Sequence, residues 1–566
     1  MDLIKKKINH KIVKENLSFS LNDLKEGINT FKDVFIFKKK KNYSIYDRKC
    51  DHSGGKLMFN TSNKKISCPL HDWEFDIEKG CYKNISQAKK KLEFKIEKNY
   101  LHTKLNKEKI LITKYKKKDN TKITFINHAC LHVSSGKMNF AIDPWAIGPA
   151  FCNGWWLAKK SPKETFEILD KCDFIFISHN HPDHLHALTL SNIDKNKLIL
   201  TPNFKSQSTS KYLKSLGFRN VKPLEFNYEY QNKEKNFSLV VLKSGDFRDD
   251  SGILFSTNDF TSLFTVDSNF LNFHNLPKDL TVLASSFAGG ASAYPVCFDN
   301  FTNLKKKSII SRNLKSLKLL NQSVLINTKP KHFLPYAGFF KESKKYDIKI
   351  KKINKKNKIL DYKIFCEKNK INLLNVDQHQ IFEFSNNELK KKYKHTNFIK
   401  DQDEKFYYDI TNKKYSSIEK EKIHNYFLNS NFTDNLILII ELTDRKRKEN
   451  YIKFSVDFRN VSIKMKFNLE NEICKDLKNL HLKTNARILN LNIRAEAFNE
   501  IIENKLPWED LLIGFHCRVN RYPDIYNSNF WYHFTNKYIT EGASRQKKDC
   551  NTCNAIVQRL DGINLS

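Results

Sequence analysis

Cysteine is sparse in this chain: twelve in 566 residues, too few for a disulfide scaffold. Long apolar runs are missing as well. No stretch approaches 18 uninterrupted apolar residues, so no membrane span is expected. The first residues, Met1-Asp2-Leu3-Ile4-Lys5, have no apolar signal core. Together these absences predict a soluble protein in the reducing cytoplasm. Glycine numbers only 16 while Lys, Asn, Ile and Phe abound, the mark of an A+T-rich base composition. Internal repeats are absent too. Acidic side chains are outnumbered 62 to 99, a formal charge of +37. The lysines are spread over polar connections such as Lys38 to Lys41, Lys89 to Lys91 and Lys390 to Lys392, and no nucleic-acid module is recognisable. The charge therefore predicts attraction of anionic small substrates or an acidic redox partner, not nucleic acid.

What is present is concentrated chemistry. Phe174-Ile-Phe-Ile177 reads as a buried strand, and it ends in Ser178-His-Asn-His-Pro-Asp-His-Leu-His186. Imidazole and carboxylate are the donors first-row metals prefer, and a loop after a strand lets several converge. Four of the chain's 18 histidines fall within eight positions beside an aspartate. This stretch predicts a metal site with His179, His181, Asp183 and His184 as ligands.

Residues 1 to about 115 are patterned as short alternating strands: Val34–Phe37, Lys65–Ser67, Leu92–Glu97 and Ile110–Thr113. Among them lie Cys50-Asp-His52 and Cys68-Pro-Leu-His71, with fifteen residues between His52 and Cys68. A zinc finger pairs Cys with Cys and His with His along the chain. Here each loop offers one of each, which resembles a Rieske ferredoxin domain, where two thiolates hold one iron and two imidazoles the other. That resemblance makes Cys50, His52, Cys68 and His71 the ligands of a 2Fe–2S cluster.

From about 120 to 345 many strands follow with few long helices. Lys122–Val133 and Met138–Asp143 read as paired strands around a Ser-Ser-Gly turn, and others lie at 198–201, 239–242, 252–255, 262–267 and 280–284. With the metal motif at a strand end, this region resembles the metallo-β-lactamase fold, an αββα sandwich. The resemblance implies further ligands at later strand ends: Asp267 after Phe264-Thr-Val, and Asp246 in Ser244-Gly-Asp-Phe-Arg-Asp249, where a histidine is usual. The last histidine of the hydrolase pattern finds only His332, in an unsuitable register. The partial set predicts one firmly held ion or a pair with oxygen-rich ligation, iron or else zinc.

Further stretches are far from background for this chain: Asp143-Pro-Trp145 through Gly154-Trp-Trp-Leu157, Ser286-Phe-Ala-Gly-Gly-Ala-Ser-Ala-Tyr-Pro295, Pro507-Trp-Glu-Asp-Leu-Leu-Ile-Gly-Phe515, Arg518-Val-Asn-Arg-Tyr-Pro523 and Phe530-Trp-Tyr-His-Phe534. In this order, with the two metal motifs, the chain resembles the cytidine monophosphate-N-acetylneuraminate hydroxylases to about residue 535. The resemblance implies a monooxygenase acting on the N-acetyl group of CMP-sialic acid or a related sugar nucleotide. Its partners would be dioxygen and a donor of cytochrome b5, ferredoxin or flavoprotein type fed by NADH. A Rieske cluster has no open coordination position, so a second metal with open positions is needed for dioxygen.

Residues 346 to 540 predict a mixed α/β region, with a linker or insertion near Lys349 to Lys358, helices at 417–429 and 497–506, and strands at 435–441 and 451–457. Trp145, Arg518 and Arg521 are candidate substrate contacts, the arginines through phosphate. Cys550-Asn-Thr-Cys553, in an expected disordered tail over 541–566, lacks the strand–helix setting of a redox motif. The fold expected is thus a multidomain α+β chain: an N-terminal all-β Rieske domain, the sandwich, and the C-terminal mixed region. Two other functions compete. One is a metal-dependent phosphodiesterase or lactonase, the other an electron-transfer protein whose second domain only binds. The first leaves the Rieske unit idle, the second the metal motif.

Overall fold

Four large apolar residues in a row, Phe174 to Ile177, are each fully buried, and Phe174–Phe176 is an inner strand with parallel neighbours on both sides. It lies in an eight-stranded sheet ordered Val221–Leu224, Ile199–Pro202, Phe174–Phe176, Met138–Ile142, Cys130–Ser135, Thr121–Asn127, Ile381–Ser385, Glu388–Tyr393. A second eight-stranded sheet runs Ile4–Lys7, Tyr228–Asn232, Phe237–Lys243, Ser251–Ser256, Thr261–Phe264, Val282–Ser286, His332–Tyr336, Asn372–Leu373. Their apolar faces share one core, with Phe140 stacked on Phe174 at 5.0 Å and tilted against Phe255 at 4.9 Å. Helices Thr165–Lys171 and Ser208–Ser215 cover the outer face of the first sheet. The 26-residue helix Asn303–Thr328 lies against the second, its Asn321 side chain donating to the Ser286 carbonyl at 2.8 Å. This is an αββα sandwich. The computed structural model describes residues 1–539 except 9, 52–56, 62, 63, 68–73, 84–87, 111–119, 205, 227, 245–248, 258, 269, 270, 273, 274, 418, 461 and 470–475, and only the backbone of 10–13, 106–109 and 528.

The sandwich takes strands from outside the 120–345 stretch. Ile4–Lys7 pairs antiparallel with Tyr228–Gln231 at one edge, and Ile381–Ser385 pairs with Thr121–Thr124. A run read as one strand, 122–133, is a hairpin: Thr121–Asn127 turns at His128 (φ 41°) and returns as Cys130–Ser135. The expected linker near Lys349 to Lys358 is part of the packed structure. Ile348–Ile353 is a helix with Ile350 buried, and the Lys356 ammonium donates to the Phe340 carbonyl at 2.9 Å and meets Glu342 at 3.0 Å. Lysine-rich composition misleads there because long alkyl stems cover apolar surface while the amines stay polar.

The N-terminal unit has its own core of Phe35, Tyr46, Cys50, Leu57, Ile66, Phe75 and Tyr82. It meets the sandwich through a long ribbon, Tyr100–Ile110 against His10–Ser20. The C-terminal unit is a five-stranded sheet ordered Lys464–Phe467, Asn450–Asp457, Leu436–Thr443, Arg487–Arg494, Cys517–Tyr522. One face, alternate residues from Leu436 to Leu442 and from Leu489 to Ile493, is buried under helices Lys420–Leu428, Ala495–Asn504 and Ser528–Asn536. The helices expected at 417–429 and 497–506 lie at Lys420–Leu428 and Ala495–Asn504. Among the described residues, no helix is long and apolar enough to cross a membrane.

Candidate metal centre

Parallel pairing of Met138–Ile142 with Phe174–Phe176 carries two chain ends to one edge of the sandwich, so Asp143 and Ser178 emerge side by side. Asp143 Oδ1 accepts the Ser178 backbone N–H at 2.7 Å, and Oδ2 accepts from Ser178 Oγ at 2.5 Å. The same Oδ2 stands 2.9 Å from His184 Nδ1. That contact places the imidazole proton on Nδ1 and turns Nε2 toward Asp183 Oδ2 at 3.4 Å and Asp267 Oδ2 at 3.3 Å. His128 Nε2, from the hairpin turn, lies 3.1 Å from Asp183 Oδ2. His179 Nε2 lies 2.9 Å from His181 Nδ1 and 3.8 Å from Asp250 Oδ1, while its Nδ1 contacts Ser178 Oγ at 2.9 Å.

Among the described residues these side chains form three overlapping sets of convergent donors: His128 with Asp183 and His184, Asp143 with His179 and His184, and His179 with His181 and Asp267. In each set the donor atoms lie within 4.8 Å of one another. His128, His179, Asp183 and His184 are buried, and Asp267 is about one-third exposed at the mouth (31%). Buried Asp183 Oδ1 and His184 Nε2 have no hydrogen-bond partner among the described residues. Unsatisfied buried donors and acceptors are costly unless another group meets them. Burial by itself would raise the Asp183 carboxyl, but His184 and His128 hold it well below the usual carboxylate range. Burial would lower His184, yet Asp183 and Asp267 push it well above the ordinary imidazole value. Asp267 is likewise drawn down by His184 against its own burial. Carboxylates and imidazoles this crowded call for shared positive charge, and each of these mixed N/O donor sets fits a first-row metal.

The fourth histidine of the motif takes no part. His186 caps helix Ala187–Leu190, its Nδ1 accepting from Thr189 N at 3.1 Å and its Nε2 standing 2.9 Å from the Pro149 carbonyl. His128, Asp143, Asp250 and Glu509, whose Oε1 lies 3.9 Å from His181 Nε2, were not legible as site residues from the motif. The signal for Asp143 was available: it directly follows a strand that neighbours the metal strand. Asp246 lies outside the described residues, while Asp250 beyond it reaches His179. His332 stands at the start of His332–Tyr336, against Phe384 and Asn372. The opposite end of that strand reaches the pocket side, where Tyr336 Oη accepts from Val266 N at 3.2 Å. Of the Rieske quartet, Cys50 is buried, and His52, Cys68 and His71 lie outside the described residues, as do Cys550 and Cys553.

The family model for the Rieske [2Fe-2S] domain matches residues 17–100, and that for the beta-lactamase superfamily domain matches residues 122–247. Over 557 residues the chain is 27% identical to the cytidine monophosphate-N-acetylneuraminic acid hydroxylase of Macaca mulatta, covering 90% of this chain and 91% of that protein. The Mus musculus enzyme of the same name is 26% identical over 562 residues, covering 90% and 93%. The chain is a homologue of these hydroxylases. Among solved structures, the diiron beta-hydroxylase CmlA from Streptomyces venezuelae overlays with 15% identity and a TM-score of 0.32, covering 49% of this chain and 55% of that one, too loosely to bear on function. The Rieske domain implies a 2Fe–2S cluster, and the second domain carries the His/Asp donor sets.

In this hydroxylase homologue the three candidate substrate contacts have different settings. Trp145 is fully buried, its Nε1–H on the Gly148 carbonyl at 2.9 Å and its ring 5.1 Å from His128. Full burial closes it to contact with a substrate, and its ring packs against His128. Arg521 is paired to Asp524 at 2.9 Å and covers Phe298, so it is held by the protein itself. Arg518 is half-buried and donates to Cys297 Sγ at 2.9 Å.

The Asp143 contact yields a prediction. Asp143→Asn keeps the shape but replaces one accepting oxygen with a donor facing Ser178 or His184. Metal affinity is expected to fall about 10 to 100-fold, the usual cost of losing an outer carboxylate partner of a histidine ligand. Chelator competition followed by elemental analysis reads this directly. Unchanged retention would show that Asp143 does not orient His184.

Proposed function

We propose that this protein is a monooxygenase that hydroxylates the N-acetyl group of CMP-N-acetylneuraminate, or of a related CMP-linked nonulosonate, to N-glycolyl. The observation that carries this reading is one chain holding a Rieske domain and a buried His/Asp pocket, aligned over 90% of its length with hydroxylases named for that substrate. Cys50, His52, Cys68 and His71 would hold the cluster. His128, His179, His181, Asp183, His184 and Asp267 would hold the second metal, with Asp250 and Asp246 beside them. Such a metal supplies the open positions for dioxygen chemistry. The chain's own contribution is positional. Asp143 and Ser178 fix the tautomer of His184 and the ring of His179, and Trp145 blocks rotation of His128. Phe151, its ring 6.2 Å from His181, limits access of water.

Electrons would come from NADH through a cytochrome b5, ferredoxin or flavoprotein donor. The excess of basic side chains favours an acidic partner, and a cytoplasmic setting suits a chain whose described cysteines are all free. The phosphodiesterase or lactonase reading calls for a histidine where the strand from His332 ends, and Tyr336 stands there. The test is mass spectrometry of CMP-N-acetylneuraminate after incubation with anaerobically prepared protein and reductant, with and without dioxygen. Gain of one oxygen atom, dependent on both, is the expected result. Release of CMP without dioxygen would replace this reading with hydrolysis.

A further inference from the structure

The C-terminal sheet has a second face. Alternation places Ile437, Ile439 and Ile488 on it under helix Leu477–Thr484, but further along the strands the same face turns polar, with Glu441, Asn490, Asn492, Arg518 and Asn520. Asn492 pairs with Arg518 across the strands, and Asn490 with Asn520. These polar residues are half-buried, and Asn490 Oδ1 is buried with no partner among the described residues. Into this patch the turn between Leu436–Thr443 and Asn450–Asp457 sends Arg447. Its Nη1 donates to the Asn492 carbonyl at 2.8 Å and to the Asn492 side chain, and its Nη2 donates to the His516 carbonyl at 2.6 Å. Nε has no partner among the described residues.

The other arginines of this unit each meet a carboxylate. Arg445 meets Glu496, Arg459 meets Asp457, Arg487 meets Asp434, Arg494 meets Asp347 and Arg521 meets Asp524. Among the described residues Arg447 and Arg518 meet none. Glu441 accepts the Asn492 amide at 3.1 Å, and Asp299 faces Lys306 at 3.7 Å. Burial, together with the neighbouring charges of Arg494 and Arg518, pulls Arg447 down to about 9. Partly desolvated guanidiniums without a counter-charge are costly, and hydrogen-bonding anions relieve that cost best.

The patch adjoins the metal pocket. His516, whose carbonyl holds Arg447, points its ring the other way, Nε2 standing 2.9 Å from the Phe151 carbonyl. Phe151 borders His181, and Glu509 of the same segment faces His181. An anion held by the arginines would therefore lie on the far side of His516 and Phe151 from His181. A sugar nucleotide, with its phosphate well away from its N-acyl group, has that layout.

We propose that Arg447 and Arg518, flanked by Asn490 and Asn492, anchor the phosphate of the sugar nucleotide. The planar fork of each guanidinium matches two phosphate oxygens. The proposal rests on the substrate class proposed above, but its test does not use turnover.

Calorimetric titration of the full chain with CMP, cytidine, free N-acetylneuraminate and inorganic phosphate tests it. CMP is expected to bind more tightly than cytidine and to be displaced by inorganic phosphate. Arg518→Gln and Arg447→Gln are each expected to weaken CMP at least about tenfold, leaving cytidine unchanged. Because Arg447 also ties the His516 carbonyl, Arg518→Gln is the deciding variant, with its thermal midpoint checked against wild type. On the wild type alone, rising salt is expected to weaken CMP and spare cytidine. CMP affinity untouched by Arg518→Gln or by salt would overturn the anchor. So would binding of free N-acetylneuraminate in place of CMP, which assigns the arginines to a carboxylate. Arginine-dependent CMP binding without dioxygen-dependent product would keep the anchor and remove the hydroxylase reading.

Discussion

Replacing His179 and His181 together with alanine is expected to abolish dioxygen-dependent product while the Rieske absorption and paramagnetic signal persist. The two imidazoles form one donor set with Asp267, and His179 also borders Asp250. Their loss leaves a single carboxylate there, which cannot retain a first-row ion against water. Outer partners of ligands are worth about 10 to 100-fold in affinity, so the loss of two inner ligands should exceed about a thousandfold in turnover. Two measurements on one sample make the result unambiguous. Elemental analysis should report iron falling toward the cluster's share, and mass spectrometry should report no oxygen gain. Full activity in the double variant would remove the pocket from the reaction. His186→Ala provides the contrast within the same motif. It should retain metal, since both ring nitrogens of His186 are spent on Thr189 and Pro149.

The second large effect is at Cys50. Changing it to serine is expected to eliminate the visible absorption of the cluster and to bring coupled turnover to background, while metal bound in the sandwich stays at its wild-type level. Serine oxygen is a harder and far less acidic donor than thiolate, and a two-iron centre with one weakened ligand assembles poorly. Stability should fall too, because Cys50 is fully buried with Phe35, Tyr46, Phe75 and Tyr82, and cluster binding is linked to folding of such small cores. A loss of about 1 kcal/mol moves the midpoint of a 60 to 100-residue domain by roughly 4–8 °C, within reach of calorimetry. An intact cluster spectrum in the Cys50→Ser protein would overturn the ligand assignment.

The tautomer of His184 and the charge on Arg447 depend on the same physics, a polar group taken from water whose partner comes from another element. Asp143 fixes His184 from 41 positions away, and His516 holds Arg447 from 69 positions away. Such partners are invisible in a linear motif, which reports donor type and spacing but not direction. For that reason the role of His186, which was not among the expected ligands, emerges only in the fold, as a helix cap, while His128, which looked like part of a strand, joins Asp183 and His184. Trp145 shows the converse. Its rare residue type drew attention as a contact for substrate, and the fold spends it as packing behind His128.

Local chemistry determined the two ligand motifs, their order and most strand positions, because ligand spacing and apolar alternation are short-range properties, and the Rieske and αββα readings came from the resemblance those motifs carry. The ordered aromatic and glycine-rich stretches carried the resemblance to the hydroxylases, later matched over 90% of the chain. Tertiary structure decided what depends on distant segments meeting. It brought Ile4–Lys7 and Ile381–Tyr393 into the sandwich sheets, placed His128 and Asp250 in the pocket, and left Arg447 and Arg518 without carboxylate partners among the described residues. Strand partners are chosen by edge complementarity and burial over the whole fold, and the charge balance of a buried group is set by every neighbour at once.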